Sequence, residues 1–204
     1  MRRAALGLTA ILRAVPRLAP VTVGEGLAVA ARHQPVEVTG EALAEAERFV
    51  ARRLEQSLLD EGHAVRVVRA VLPHADAPAH AARAAADLAT LLESGRFEAL
   101  TTALQRVMRI VPAGTPAGYD PALFTEPSET RLHETFVRVR DALPARPALP
   151  EFATAAGVLV EPVGAYFDDV MVMDEDPDLR ANRLGFLAAV RDLVAPVADW
   201  REIA

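Results

Sequence analysis

Residues 174–196 read DEDPDLRANRLGFLAAVRDLVAP. Asp176 before Pro177 pairs an N-cap carboxylate with the one residue that loses nothing at the first helical position, because its missing N–H needs no partner there. Asp178 adds negative charge to the first turn, where the helix dipole favours it. Leu179, Leu184, Leu187, Val190 and Val194 then recur at helical spacing until Pro196 ends the pattern. The stretch is a capped amphipathic helix, and the rest of the chain repeats its logic.

Upstream, residues 152–173 predict a helix with Leu159, Val163, Tyr166, Phe167 and Val170 inward, started or kinked by Pro162. Met171 and Met173 are assigned to the core, as gap-fillers between helices. Tyr166 and Phe167 are assigned to packing, with Tyr166 able to stack a base if exposed. Pro144, Pro147 and Pro150 make a stiff linker. Residues 127–143 form a helix on Leu132, Phe136, Val139 and Leu143, preceded by a loop over 112–121 that is rich in Pro and Gly. Residues 96–111 carry Phe97, Leu100, Leu104, Val107 and Val111 as a buried stripe, which leaves Arg106 and Arg109 together on the opposite face.

The first half follows the same rules. Thr39 caps a long helix to about Glu61 on Leu43, Ala46, Val50, Leu54 and Leu58, with Gly62 as its stop and Arg48, Arg52 and Arg53 outward. A short helix over 64–72 turns Val65, Val68 and Leu72 inward, and Asp76 and Pro78 open an Ala-rich helix that ends near Ser94 and Gly95. Residues 3–14 place Ala5, Leu8, Ile11 and Leu12 on one stripe, followed by a connector. No strand pattern and no internal repeat is present. The fold class is all-α, a bundle of about six to eight helices, divided into residues 1–36, an N-terminal helix and connector left from a preceding domain, and residues 37–204, the helical domain proper.

Composition bounds the function. Of 204 residues 51% are hydrophobic and 5% aromatic, while 22 basic residues, all arginine, face 28 acidic ones for a net charge of −6. That apolar fraction excludes disorder, and the scarcity of aromatics argues against a β-sandwich. The absence of cysteine excludes a disulfide framework and a thiol nucleophile. Arg2 and Arg3 before an apolar run resemble a secretory signal, but Arg13 and Arg17 interrupt it. No run reaches the roughly 18 apolar residues of a membrane span, so a cytoplasmic protein with no membrane partner is expected. An acidic chain does not embrace phosphate by charge alone. Any nucleic-acid role requires a local arginine cluster.

Catalytic patterns fail on spacing. His133 and Glu134 begin an HExxH pattern whose fifth position is Val137. His74, Asp76 and His80 have no fourth ligand in view, and Asp174, Asp176 and Asp178 imitate half of a calcium loop but lack its glycine and its bidentate Glu. There is no phosphate loop, no nucleophile elbow and no lysine. The residues alone describe a helical binding or scaffolding module, with no catalytic residue, no metal and no cofactor of its own; a metal-dependent hydrolase would require bound metal.

Residues 167–199, FDDVMVMDEDPDLRANRLGFLAAVRDLVAPVAD, closely resemble the end of the beta subunit of bacterial heterotetrameric glycyl-tRNA synthetase. Tyr166 and Phe167 stand where that family has paired phenylalanines, Asp169 to Met173 match its Asp-Val-Met-Val-Met run, and Arg180, Asn182, Arg183 and Leu184 match its R-x-N-R-L element. Arg2-Arg3-Ala4-Ala5-Leu6-Gly7, Ala70-Val71-Leu72, Arg106-Val107 with Ile110, and Glu126-Pro127 with Glu129 and Leu132 resemble further elements, so the likeness spans nearly the whole chain. Gln105 and Arg109 depart from it, replacing a lysine and an asparagine.

The resemblance implies a DALR-type anticodon-binding domain, the last third or less of a beta subunit, cut out or encoded as a short gene product. It implies tRNA-Gly as partner, together with the alpha subunit and the remainder of beta, in a glycine–tRNA ligase. ATP and magnesium are expected at the alpha subunit. Arginine donates to base edges, stacks and pairs with phosphate, while carboxylates accept from cytosine amines. The candidate tRNA-binding residues are Arg106, Arg109, Arg180, Asn182 and Arg183, with Arg52 and Arg53 behind them. Alternatives stay open: Arg183 pinning two helices by pairing with Asp169, Asp174 or Asp176, Asn182 as a buried amide, and Arg52 and Arg53 as a solvated face. A rival function is a protein-interaction module that docks onto the alpha subunit or the rest of beta without touching RNA, marked by an exposed apolar patch near residues 1–12.

Overall fold

A computed structural model describes residues 2–93, 95, 97–144 and 147–203. Every regular element among them is helical, and none is long and apolar enough to cross a membrane. The chain divides into two compact units, the first running to Thr90 and the second from Leu91 to Glu202, with Ile203 assigned to the first. No division falls at residue 36: the helices on either side of it share one core.

In the first unit, α1 (Arg2–Ala14) and α2 (Val23–Ala31) both pack on α3 (Gly40–Asp60). The cap of α3 is as its sequence dictates, with the Ala42 N–H donating to Thr39 Oγ1 at 3.2 Å and Gly62 at φ +93° just past its end. Val50, Leu54 and Leu58 are buried along it, and Ala5, Leu12 and Val23 close over Val50. The short α4 (Val65–Val71) and the alanine-rich α5 (Pro78–Glu93) complete the unit. Ala81, Ala84 and Ala85 are buried along α5. The expected helix end at Ser94 lies outside the described residues.

In the second unit, α6 (Glu98–Ile110) packs against α9 (Val160–Asp169) and α10 (Pro177–Val194), and α9 also packs on α7 (Pro127–Ala142). Between them α8 (Leu149–Ala156) leads through a 3₁₀ turn, Gly157–Leu159, into α9. Leu104, Leu132, Phe152, Val163, Tyr166, Phe186 and Trp200 are fully or almost fully buried. Each such side chain withdrawn from water contributes about 1.5–3 kcal/mol. Trp200 lies between Phe97 and Phe152, with ring centroids 5.5 and 5.4 Å away, and its Nε1–H donates to the Val194 carbonyl at 2.9 Å.

Several expectations need correction. The connector after α1 contains α2, opened by a capping box in which the Glu25 N–H donates to Thr22 Oγ1 and Thr22 N–H to Glu25 Oε2, each at 3.2 Å. The single helix expected over 152–173 is two: Pro162 has no N–H for the carbonyl four residues back and its ring crowds that position, so it is accommodated only in the first turn of a new helix, α9. Pro150 belongs to the first turn of α8 rather than to a linker, and linker residues 145 and 146 lie outside the described residues. Ile11 and Val65, assigned inward, are exposed, as are Met171 and Met173 at 71% and 57%. The loop after α9 alternates, turning Val170 and Val172 in and the methionines out.

The proline- and glycine-rich segment 112–121 lies against α10. A Cβ built on Gly185 would strike the Gly118 carbonyl, so only glycine admits this approach. Gly185→Ala is therefore expected to cost about 1–3 kcal/mol of stability, read as a lowered urea midpoint, whereas Gly164→Ala, where a Cβ meets nothing within 4 Å, leaves the midpoint unchanged or raises it.

Candidate nucleic-acid interface

The exposed side of α6 is built by its period. Leu100, Leu104, Val107 and Met108 face the core, so Glu98, Thr102, Arg106 and Arg109, at intervals of four, four and three, form one outward stripe. The Arg106 guanidinium rests 4.6 Å from the centroid of the Phe167 ring, at the last turn of α9. Its Nη2 is 3.9 Å from Asp168 Oδ1, with the two side chains 45% and 75% exposed. A pair this long and this wet is worth about 0–1 kcal/mol, so Arg106 can exchange Asp168 for another anion at little cost. Arg109 is exposed and has no hydrogen bond or ion pair among the described residues. Beside the stripe a groove of about 510 Å³ runs between α6 and α9, lined by Glu98, Thr102, Ala103, Arg106, Val163 and Gly164 among others.

The arginines of α10 are used differently. Asp176 Oδ1 accepts from the N–H groups of Asp178 and Leu179 at 2.8 and 3.4 Å, which is the predicted cap. Arg180, half-buried, donates to the Asp174 carbonyl at 2.6 Å. Asn182 is buried: its Oδ1 accepts from the Asp120 N–H at 2.6 Å and its Nδ2 donates to the Asp120 carbonyl at 3.1 Å, tying α10 to the loop before α7. Arg183, 4% exposed, donates to Glu129 Oε1 at 3.2 Å, Asp174 Oδ2 at 2.7 Å, the Met171 carbonyl at 3.0 Å and Thr125 Oγ1 at 2.9 Å. Candidate base-readers Asn182 and Arg183 are both buried, and their side chains bond to the loop before α7, to Glu129 at the start of α7 and to the loop after α9. Of Asp169, Asp174 and Asp176, only Asp174 pairs with Arg183 among the described residues, and the other carboxylate against it is the buried Glu129.

Glu129 is the hub of that network. Its Oε2 accepts from the N–H groups of Thr125 and Glu126 at 2.8 and 3.0 Å, closing the capping box of α7, while Oε1 faces Arg183. The signal was present in the sequence as Glu126-Pro127-Ser128-Glu129, a cap with its N3 carboxylate, but nothing in that spacing discloses the arginine 54 residues away. Burial works against the Arg183 charge, and the bonds to Glu129 and Asp174 more than offset it, so its pKa lies above the ordinary arginine value. Asp174 is held below the usual carboxylate range, first by the Asp176 N–H and then, against the opposing effect of burial, by Arg183. Tyr166 is fully buried beside them, and that burial raises its pKa; its hydroxyl has no hydrogen-bond partner among the described residues.

Arg52 and Arg53 belong to the first unit, both near the ring of Phe49 at 5.9 and 5.2 Å. Arg52 is exposed and Arg53 half-buried. No group of three His, Asp or Glu among the described residues is placed to hold a metal ion. His133 instead sits in an aromatic cluster, 5.9 Å from Phe186 and 5.6 Å from Tyr119.

No protein-family model matches the chain. Known proteins do. The chain is 33% identical over 203 residues to the chloroplastic/mitochondrial glycine–tRNA ligase 2 of Arabidopsis thaliana, covering 98% of this chain and 19% of that protein. It is 34% identical over 206 residues to the glycine–tRNA ligase beta subunit of Desulforudis audaxviator, covering 98% of this chain and 30% of that subunit. The beta subunit of Anaeromyxobacter dehalogenans is 41% identical over 113 residues. The chain thus spans less than a third of the length of these relatives.

Breaking the buried pair from one side strands a charge. Arg183→Met or Glu129→Met alone is expected to lower stability by about 3–5 kcal/mol in urea denaturation, and the double variant by less than the sum. Asp174, whose pKa is lower folded than unfolded, contributes stability that is present above the ordinary carboxylate pKa and is lost as the pH falls through the lowered folded value. Urea midpoints of wild type and Asp174→Asn, measured from about pH 6 down to about pH 2, should therefore converge toward the acid end.

Proposed function

The chain belongs to the glycine–tRNA ligase beta-subunit family, matching part of such a subunit over nearly its whole length, and from that premise we propose that it is the region that grips the anticodon end of tRNA-Gly, with the α6 face as the contact. The observation that carries this reading is the outward stripe of α6, where Arg109 has no partner among the described residues and Arg106 is held only by an aromatic ring and a long, exposed ion pair.

A single-stranded loop is read by hydrogen bonds to base edges, by stacking on planar groups and by contacts to phosphate. Arg106 can do all three, since its guanidinium is planar, permanently charged and already stacked on Phe167. On a chain of net charge −6, such binding is local. A few arginines meet a few phosphates, with a modest salt dependence set by their number. In this reading the alpha subunit and the remainder of beta are the protein partners, glycine activation with ATP and magnesium takes place on the alpha subunit, and this region contributes binding energy rather than chemistry.

A second reading has its own support. In the first unit a mostly apolar groove of about 530 Å³ is lined by Ala5, Leu8, Leu27, Ala46, Phe49 and Val50 among others, and Leu6 and Ile11 of α1 are exposed nearby in sequence. Such a surface suits docking onto another part of the ligase without RNA contact.

One titration separates the two. Arg106→Glu with Arg109→Glu is expected to abolish binding of tRNA-Gly to the chain in fluorescence anisotropy at low salt, while thermal unfolding stays unchanged because both side chains are exposed. Equal affinity for wild type and double variant rejects the α6 face and leaves the docking reading.

A further inference from the structure

We propose that the outward face of α3 is a self-association surface, on which a second copy of this chain pairs antiparallel about a two-fold axis. The inference concerns the first unit alone and does not rest on the reading of α6.

Four charged residues carry it. Glu41, Glu45, Arg48 and Arg52 follow one another along α3 at intervals of four, three and four, so they form one stripe about 16 Å long, and all four are exposed. Among the described residues no hydrogen bond or ion pair engages their side chains. The charges are segregated, two carboxylates and then two guanidiniums. Within the helix that order sets like charges four residues apart twice, which is unfavourable. The helix dipole rewards such an order only in the first and last turns, and Glu45, Arg48 and Arg52 lie outside both. The stripe is thus costly in an isolated copy and becomes favourable only against a surface of the opposite order.

The chain itself supplies that surface. With sign reversed, the stripe is symmetric about a point between Ala46 and Glu47. A two-fold axis there sets Glu41 against the partner's Arg52 and Glu45 against the partner's Arg48, an isologous contact in which one stripe is used twice. A parallel pairing in register would oppose like charges, so the order selects the antiparallel one. Glu55, one turn beyond Arg52, has no ion pair among the described residues and falls outside the symmetric four. Exposed ion pairs alone hold little, and the flanks add apolar area. Ala42, Ala46 and Phe49 line the groove on one side of the stripe, and Ala44 and Ala51 border it on the other. The two-fold brings the grooves of both copies to the same side of the pair, where they join, with Phe49 and the partner's Phe49 about 7.5 Å apart along the axis.

The test is a charge swap on the full chain, read by sedimentation equilibrium. Wild type is expected to dimerise at low salt and to weaken at least about tenfold as salt rises from about 0.05 M to about 1 M. Glu41→Arg with Glu45→Arg makes the stripe wholly basic, and Arg48→Glu with Arg52→Glu makes it wholly acidic. Each variant alone is expected to be monomeric, and an equal mixture of the two to restore a dimer holding one of each. Thermal unfolding shows whether both fold; if either does not, the central pair alone, Glu45→Arg mixed with Arg48→Glu, repeats the comparison. The proposal is overturned by a wild type that stays monomeric at low salt, by variants that each remain dimeric, or by a mixture of folded variants that stays monomeric. Arg106→Glu with Arg109→Glu should keep the dimer, so failure of the α6 reading and failure of this one are told apart.

Discussion

Arg183 and Glu129, both almost wholly buried, hold the second unit together by a charge pair that neither could leave unmatched. Taking either alone out of water costs several kcal/mol, which their mutual attraction offsets only when the remaining donors and acceptors are also bonded. Here they are. Glu129 receives two backbone N–H groups at the start of α7, and Arg183 reaches the loop after α9 through Met171 and Asp174. One guanidinium thereby fixes α10 against the N-terminus of α7 and the loop that leaves α9.

That constraint distributes the arginines between two uses. Asn182, Arg183 and Arg191 of α10 bind loops, with Arg191 donating to the Thr115 carbonyl at 2.8 Å. The arginines of α6 do not. Their helix buries its apolar side against α9 and α10, so its charged side is left outward, in contact with little more than Phe167 and Asp168. A rigid frame beneath and loosely held cations above is the arrangement in which a surface can exchange an internal partner for a ligand without reorganising.

How far the sequence discloses this depends on the range of each interaction. The caps at Thr39 and Asp176 are legible because the capping side chain and its N–H partners lie within three residues. The Thr22–Glu25 box opening α2 was equally local, but α2 is nine residues that, apart from Glu25 and Leu27, are Val, Gly and Ala, with no wide polar face, so periodicity does not announce it. The break before α9 was half legible, since Pro162 signals a start or a kink and only packing chooses between them. Met171 and Met173 show the limit. Composition assigns methionine to cores, yet the buried Val170 and Val172 fix an alternation that turns both outward. For the candidate site, the shared face of Arg106 and Arg109 follows from their spacing, whereas the burial of Asn182 and Arg183 does not.

By itself the sequence determined the all-helical class, most helix boundaries and the likeness to glycine–tRNA ligase beta subunits, because caps, prolines and apolar periods act within a turn or two of chain and a family pattern is carried by residue identity. Only the tertiary structure decided which charged residues are buried anchors and which stand exposed with few bonds to the chain. Arg106 and Arg183 are chemically identical, and what separates them is burial, which depends on Glu129 being brought 54 residues through the chain to one and on nothing but a ring and a distant carboxylate being brought to the other.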